Sequence, residues 1–264
     1  MRGASDSGTP RDPATDPRRS VMVEPDYLDL KYSTARAPLT DYPYLLARYL
    51  LENYYAAPGR LLDFGCGRGD ALRAFRDLGF DAVGADVSAS AAEMAKDFEV
   101  ALVDPETSRV PYADASFDAV FSKSVIEHMH RPMDLVREAS RVLRPHGVAV
   151  VMTPSWEHGA WGPFYADHTH VTPFTAPGLK DLLMLAGFHT VESGFFYQLP
   201  FVWKTRLLRV VPRLVAALPV PYRPYRERAP WPERLNKLIR FSKEVMLIGV
   251  GRKPTAGVGA TWDR

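Results

Sequence analysis

Only one cysteine, Cys66, occurs among the 264 residues, so no disulfide can form within the chain and the usual cysteine-rich zinc modules are excluded. No uninterrupted apolar run reaches the ~18 residues that a bilayer-spanning helix requires. The amino-terminal stretch also lacks the apolar core of a secretory signal, and a cytoplasmic location is the expectation. Residues 1–24 hold almost nothing apolar; rich in Pro, Asp, Arg, Ser and Gly, they cannot bury enough surface to offset their ordering entropy and are expected to form a disordered tail. A second flexible tail is expected over 254–264.

Between these ends the composition is that of a globular protein, the whole chain being 46% apolar and 24% charged. The length suits one elaborated domain better than two enzymes. The formal net charge of +2 hides a division. Residues 203–253 hold thirteen Lys and Arg against Glu227, Glu233 and Glu244, a surplus of ten, so the rest carries eight net negative charges. A basic segment joined to an acidic body points to an anionic partner or surface.

Hydrophobic periodicity predicts strands at 61–64, 81–86, 98–103, 119–122, 148–152, 189–197 and 243–251. Helices are predicted from Tyr42, with Asp41 as cap, and over 70–78, 88–97, 133–143 and 178–186. Strands alternating with helices predict an α/β fold, a mostly parallel sheet with helices on both faces. The organising stretch is RLLDFGCGRGD at 60–70, a buried strand running into a glycine-rich turn and then a helix. Gly65, Gly67 and Gly69 allow positive φ and let a ligand approach the backbone. The next strand ends in Asp86, about 20 residues on, where a carboxylate can accept from both hydroxyls of a ribose. Nicotinamide and S-adenosyl cofactors both carry that ribose. The spacing here is G-x-G-x-G rather than G-x-G-x-x-G, and Asp63 beside the turn would repel a pyrophosphate yet engage the ammonium of a methionine moiety.

With these residues the sequence resembles the class I S-adenosylmethionine-dependent methyltransferases. LLDFGCGRGD is similar to their first motif and VGADVS to their acidic second strand end, and the resemblance continues through SFDAVFSKSVIEHM and RVLRPHGVAVVMTP, covering roughly 61–194. It implies a seven-stranded, mostly parallel Rossmann-like sheet with the last two strands antiparallel, S-adenosyl-L-methionine as cofactor, and cofactor contacts from Asp63, Gly65, Cys66, Gly67, Asp86, Val87, Asp104 and Ser122. Cys66 is read as a small buried filler beside the cofactor rather than a nucleophile. Asp104 would reach the adenine amino group, with Glu106 as its rival. The domain would comprise 25–199 and 243–253, interrupted by a basic helical insertion over 200–242.

Methyl transfer to a hydroxyl needs positioning and a base. Two histidine-rich stretches lie where the resembling fold presents its acceptor, 127–130 and 156–170, and the candidate bases are His168, His170 and His128, with Asp167 to orient an imidazole. IEHM also resembles the segment in ubiquinone-pathway methyltransferases whose E-x-x-E-H pattern supplies metal ligands; with Ser124 at the first glutamate position, the alternative metal set is Glu127 and His128 with His168 or His170. The function expected is O-methylation of a small-molecule or glycan acceptor, lipid-linked in one variant. The alternatives are an RNA 2′-hydroxyl methyltransferase and a non-catalytic cofactor-binding scaffold, with nucleic acid the less expected partner. In the insertion, Phe201, Val202, Leu207, Leu208, Val210, Val211, Leu214, Val215 and Leu218 are predicted on one side of a helix with Lys204, Arg206, Arg209 and Arg213 on the other. That is the pattern of contact with an anionic membrane at its inner face, of a lid, or of a homodimer surface.

Overall fold

Leu61, Leu62 and Phe64 put the first strand at the centre of the molecule. In the computed structural model, which describes residues 28, 38–104, 107–161, 163–222 and 231–255, β1 (Arg60–Phe64) pairs in parallel with β2 (Asp81–Asp86) on one side and β4 (Phe117–Lys123) on the other. β3 (Val100–Leu102), β5 (Leu143–Pro154), β6 (His189–Phe196) and β7 (Met246–Arg252) complete one sheet in the order β3-β2-β1-β4-β5-β7-β6. β7 runs antiparallel to both β5 and β6, and the other pairings are parallel, as the resemblance implies. The expected tail at 1–24, Glu106 and most of 254–264 lie outside the described residues.

Strand alternation divides the core between the two faces of the sheet. Leu62 and Phe64 pack with Leu135, Val136 and Ala139 of α4 (Pro132–Val142) and with Leu179 and Leu183 of α6 (Ala176–Leu185). Leu61 packs on the opposite face with Leu46 and Leu50 of α1 (Tyr42–Asn53) and Phe75 of α2 (Asp70–Asp77). Each such side chain contributes about 1.5–3 kcal/mol by leaving water. α3 (Ala89–Met94) is capped as expected by Ser88, whose hydroxyl accepts from the Ser90 N–H. Asp41, the predicted cap of α1, has helical backbone angles and makes no side-chain cap bond. Instead, the Thr40 hydroxyl lies 3.4 Å from the Tyr42 N–H.

The first half of the segment between β6 and β7 departs from the single amphipathic helix predicted over 201–218, whereas the second, basic helix expected after the proline-rich break at 219–232, with Leu235, Leu238 and Ile239, is present. A 3-10 turn at Pro200–Trp203 buries Val202 and packs Trp203 against Tyr42, Tyr49 and Phe196. The chain breaks at Thr205, whose hydroxyl faces the Leu207 N–H; a second 3-10 turn (Arg206–Arg209) then leads into α7 (Val210–Ala217). α8 (Glu233–Lys243) returns against α7. No helix among the described residues is long and apolar enough to cross a membrane.

Candidate active site

At the carboxyl end of β1 the chain turns through Gly65 at φ 86° and Gly67 at φ 50°. A side chain at Gly65 would lie 2.2 Å from Val125 Cγ2, so the glycine is required by the loop after β4 that packs over it. At Gly67 the nearest atom to an added Cβ is Leu28 Cδ2 at 3.8 Å; there the need is for positive φ and for open space above the backbone. Asp86 holds this turn in place: Oδ2 accepts from the Gly67 N–H at 2.8 Å and Oδ1 from the Ser88 N–H at 3.0 Å. Two acceptor oxygens retain capacity for further donors, so the carboxylate can serve loop and ligand together.

Asp63, Gly65, Gly67, Asp86 and Val87 line a cleft of about 890 Å³, closed on its far side by Tyr42, Pro43 and Leu46 of α1. Asp63 is almost completely buried, and its Oδ2 has no hydrogen-bond partner among the described residues. Burial first, and then repulsion from Asp86, push its carboxyl up to about 8, with Lys123 opposing. A buried, unpartnered acidic oxygen over a glycine turn fits a cationic group, and with Asp86 at the end of the neighbouring strand the pair suits the ammonium and ribose of S-adenosylmethionine.

Three expected cofactor contacts fall elsewhere. The Cys66 thiol turns into the packing of Leu72, Ala91 and Ala95 and lines no part of the cleft; burial pushes its pKa well up, which fits the filler reading and excludes a reactive thiolate. Ser122 is buried on β4 outside the cleft, whereas Phe121 and Lys123, one residue to either side of it, line the cleft because side chains alternate across a strand. Asp104 is exposed and lines no part of the cleft; its carbonyl accepts from Thr107 and Ser108, and the lining there comes from Val103 and Ser108.

A second cavity of about 260 Å³ adjoins the first, the two sharing Lys123, Ser124 and His128. Ser124, at φ 60°, is a strained turn residue that swings the chain from β4 into the short helix Ile126–His128. The loop after β5 is fastened to that helix: Val171 and Thr172 donate to the Glu127 carbonyl at 2.8 and 3.0 Å, and the Thr172 hydroxyl to the Met129 carbonyl at 2.6 Å. This joins the two histidine-rich stretches. The His128 and His170 rings meet edge to face with centroids 4.6 Å apart.

The hydrogen bonds also specify tautomers. The Thr169 hydroxyl donates to Asp167 Oδ1 at 2.7 Å, so it accepts from His128 Nδ1 at 2.8 Å, and in the neutral ring the lone pair is on Nε2. His170 Nδ1 donates to the Phe164 carbonyl at 2.6 Å with the same result. Asp167 is thus joined to the His128 imidazole through Thr169. His168 is exposed and lines neither cavity; of the two loop histidines, the structure brings His170 inward. Of the two alternatives for the third ligand of the potential metal set, His170 is the one in place, since ligand atoms of Glu127, His128 and His170 lie within 4.8 Å of one another. Glu127 is fully buried, accepts from the Thr153 hydroxyl, and has an unpartnered Oε1; burial is the main cause pushing its carboxyl up to about 7.

Lys123, Thr169 and the wall formed by Arg240 and Phe241 of the insertion and by Glu244 just after it were not anticipated. Lys123 had a signal, the last residue of a buried strand whose carboxyl end faces the site. Arg240 had none, lying at least 70 residues along the chain from the histidines that line the same cavity.

A protein-family model described as a methyltransferase domain matches residues 39–193. This chain belongs to that methyltransferase family. It is 28% identical over 137 residues to a demethylmenaquinone methyltransferase of Renibacterium salmoninarum (51% of this chain, 57% of that protein). It is 30% identical over 172 residues to a ubiquinone biosynthesis O-methyltransferase of Roseobacter denitrificans (56% of this chain, 67% of that protein). The matches thus span little more than half to two thirds of these relatives. Among solved structures, a chain from the complex of the Haloferax volcanii Trm112 methyltransferase activator with a methyltransferase superposes with a TM-score of 0.60 at 20% identity (83% of this chain, 92% of that chain), a likeness of fold. The cofactor of this chain is S-adenosylmethionine, and the buried acid over the glycine turn makes the larger cleft the candidate site for it.

The raised pKa of Asp63 has a measurable consequence. A cationic ligand favours the ionised carboxylate, so cofactor affinity should rise as pH rises through about 8, and binding below that pH should release a proton. Calorimetry in buffers of different ionisation enthalpy reads this directly; Asp63→Asn should abolish the buffer dependence.

Proposed function

We propose that the protein transfers a methyl group from S-adenosylmethionine to a hydroxyl oxygen of a small-molecule or glycan acceptor, with His128 as the general base. The carrying observation is the position of His128, which lines both the cofactor cleft and the smaller cavity while Thr169 and Asp167 hold its other nitrogen. When bound, the cofactor supplies a methyl group activated by its sulfonium. Asp63 and Asp86 orient it from one side of the cleft; the smaller cavity receives the acceptor hydroxyl. His128 Nε2 takes the hydroxyl proton as the new oxygen–carbon bond forms and the carbon–sulfur bond breaks, and Asp167 stabilises the resulting imidazolium through Thr169. The Roseobacter denitrificans relative, named as an O-methyltransferase, supports oxygen as the atom methylated. The volume of about 260 Å³ suits a small acceptor or the end of a longer, lipid-linked one. Incubation of the protein with labelled cofactor and fractionated metabolites and glycans tests this: label should enter a base-stable ether.

A second reading follows from the convergence of Glu127, His128 and His170, whose ligand atoms could hold a divalent cation that lowers the pKa of the acceptor hydroxyl. The unpartnered Glu127 Oε1 favours it. On this reading, titration with magnesium, manganese or zinc gives a calorimetric binding signal that Glu127→Gln and His170→Ala each remove, and a chelator silences turnover. On the base reading, neither the heat nor the chelator effect is observed.

A further inference from the structure

The insertion carries an apolar surface that no other described residue covers. Leu207, Val210, Leu214 and Leu218 follow one another at intervals of three, four and four residues, so they form one stripe along α7 and the turn before it. All four face solvent, at 82%, 54%, 64% and 52% exposure, whereas Pro212 of the same helix is buried and Leu208, Val211 and Val215 are half-buried. The predicted single apolar face is therefore split: one set packs inward and another is left outside. Lys204, Arg206 and Arg213 are exposed beside the stripe, and no acidic residue occurs from 193 to 226.

We propose that this stripe docks the protein onto an anionic lipid bilayer, with the leucines and valine entering the headgroup boundary and the flanking basic residues meeting lipid phosphates. Charge decides between the two apolar occupants available. A second copy packed symmetrically on the stripe would bring its own Arg206 and Arg213 to the same patch, like charge against like, whereas an anionic bilayer neutralises them. The surface is tied to the site. α8 packs on α7, Lys243 Nζ donates to the Leu218 and Val220 carbonyls at 2.8 and 3.2 Å, and the same helix presents Arg240 and Phe241, with Glu244 at its carboxyl-terminal cap, to the smaller cavity. Docking therefore places that cavity one helix away from the membrane surface.

Flotation of the full chain with vesicles of phosphatidylcholine alone, or with 30% phosphatidylglycerol, tests the proposal independently of the reaction. Binding to the anionic vesicles alone is expected, with loss in 0.5 M salt. Arg206→Ala with Arg213→Ala should lower partitioning about 30-fold, and Leu207→Glu with Leu214→Glu should abolish it. Both double variants alter exposed residues remote from the cofactor cleft, so unchanged S-adenosylmethionine binding certifies their fold. Failure of the parent to float, or equal binding to neutral vesicles, overturns the proposal. So does a dimer in light scattering that Leu207→Glu with Leu214→Glu dissociates, which would assign the stripe to a second copy.

Discussion

Asp86→Ala should weaken S-adenosylmethionine binding by about 100-fold or more in a calorimetric titration. The ligand loses an ionised acceptor for two ribose hydroxyls, and hydrogen bonds to charged groups contribute roughly 1.5–3 kcal/mol each. The structure adds a second cause. Asp86 is also the acceptor for the Gly67 and Ser88 N–H groups, so its removal releases the turn whose shape the cofactor requires. Asp86→Asn separates the contributions: the amide oxygen can keep one of these bonds, but its NH2 group then faces the other N–H, donor against donor. Both variants also remove the charge that helps raise the Asp63 pKa, so the pH dependence of any residual binding should shift downward. Parent-like affinity in Asp86→Ala would remove the assignment of the cleft.

His128→Ala should lower turnover by about 100-fold to 10,000-fold, the range for a general base, while cofactor affinity stays within a few-fold of the parent. His168→Ala should turn over like the parent, because that side chain is exposed and lines neither cavity. Thr169→Val should fall between them: it keeps the side-chain shape but leaves His128 Nδ1 without its acceptor and Asp167 without one of its donors. His170→Ala discriminates the two catalytic readings, since a neighbouring ring affects a base modestly whereas a lost ligand releases a metal. Single-turnover measurement with saturating cofactor is the assay of choice. Normal rates in His128→Ala would rule it out as the base.

Features encoded in contiguous residues were legible before any coordinates. The buried strand at Leu61–Phe64, the glycine turn, the acid at the end of β2 and the alternation of strands with helices are local patterns with one physical solution each. They specified the sheet and the cofactor, and they singled out Asp63, Gly65, Gly67 and Asp86, which line one cleft in the fold. Contacts across the chain were not legible. Which of His168 and His170 turns inward depends on a carbonyl at Phe164 and on Val171 and Thr172 reaching Glu127. Ser122 and Lys123 exchange roles through strand alternation, whose phase is set by the neighbouring strands. The insertion illustrates the division most sharply. Its sequence determined that apolar and basic residues recur with helical spacing. Only packing decided that Val202 and Trp203 belong to the core while Leu207, Val210, Leu214 and Leu218 remain in solvent, because Thr205 breaks the helix and the space beneath it accommodates only one of the two apolar sets.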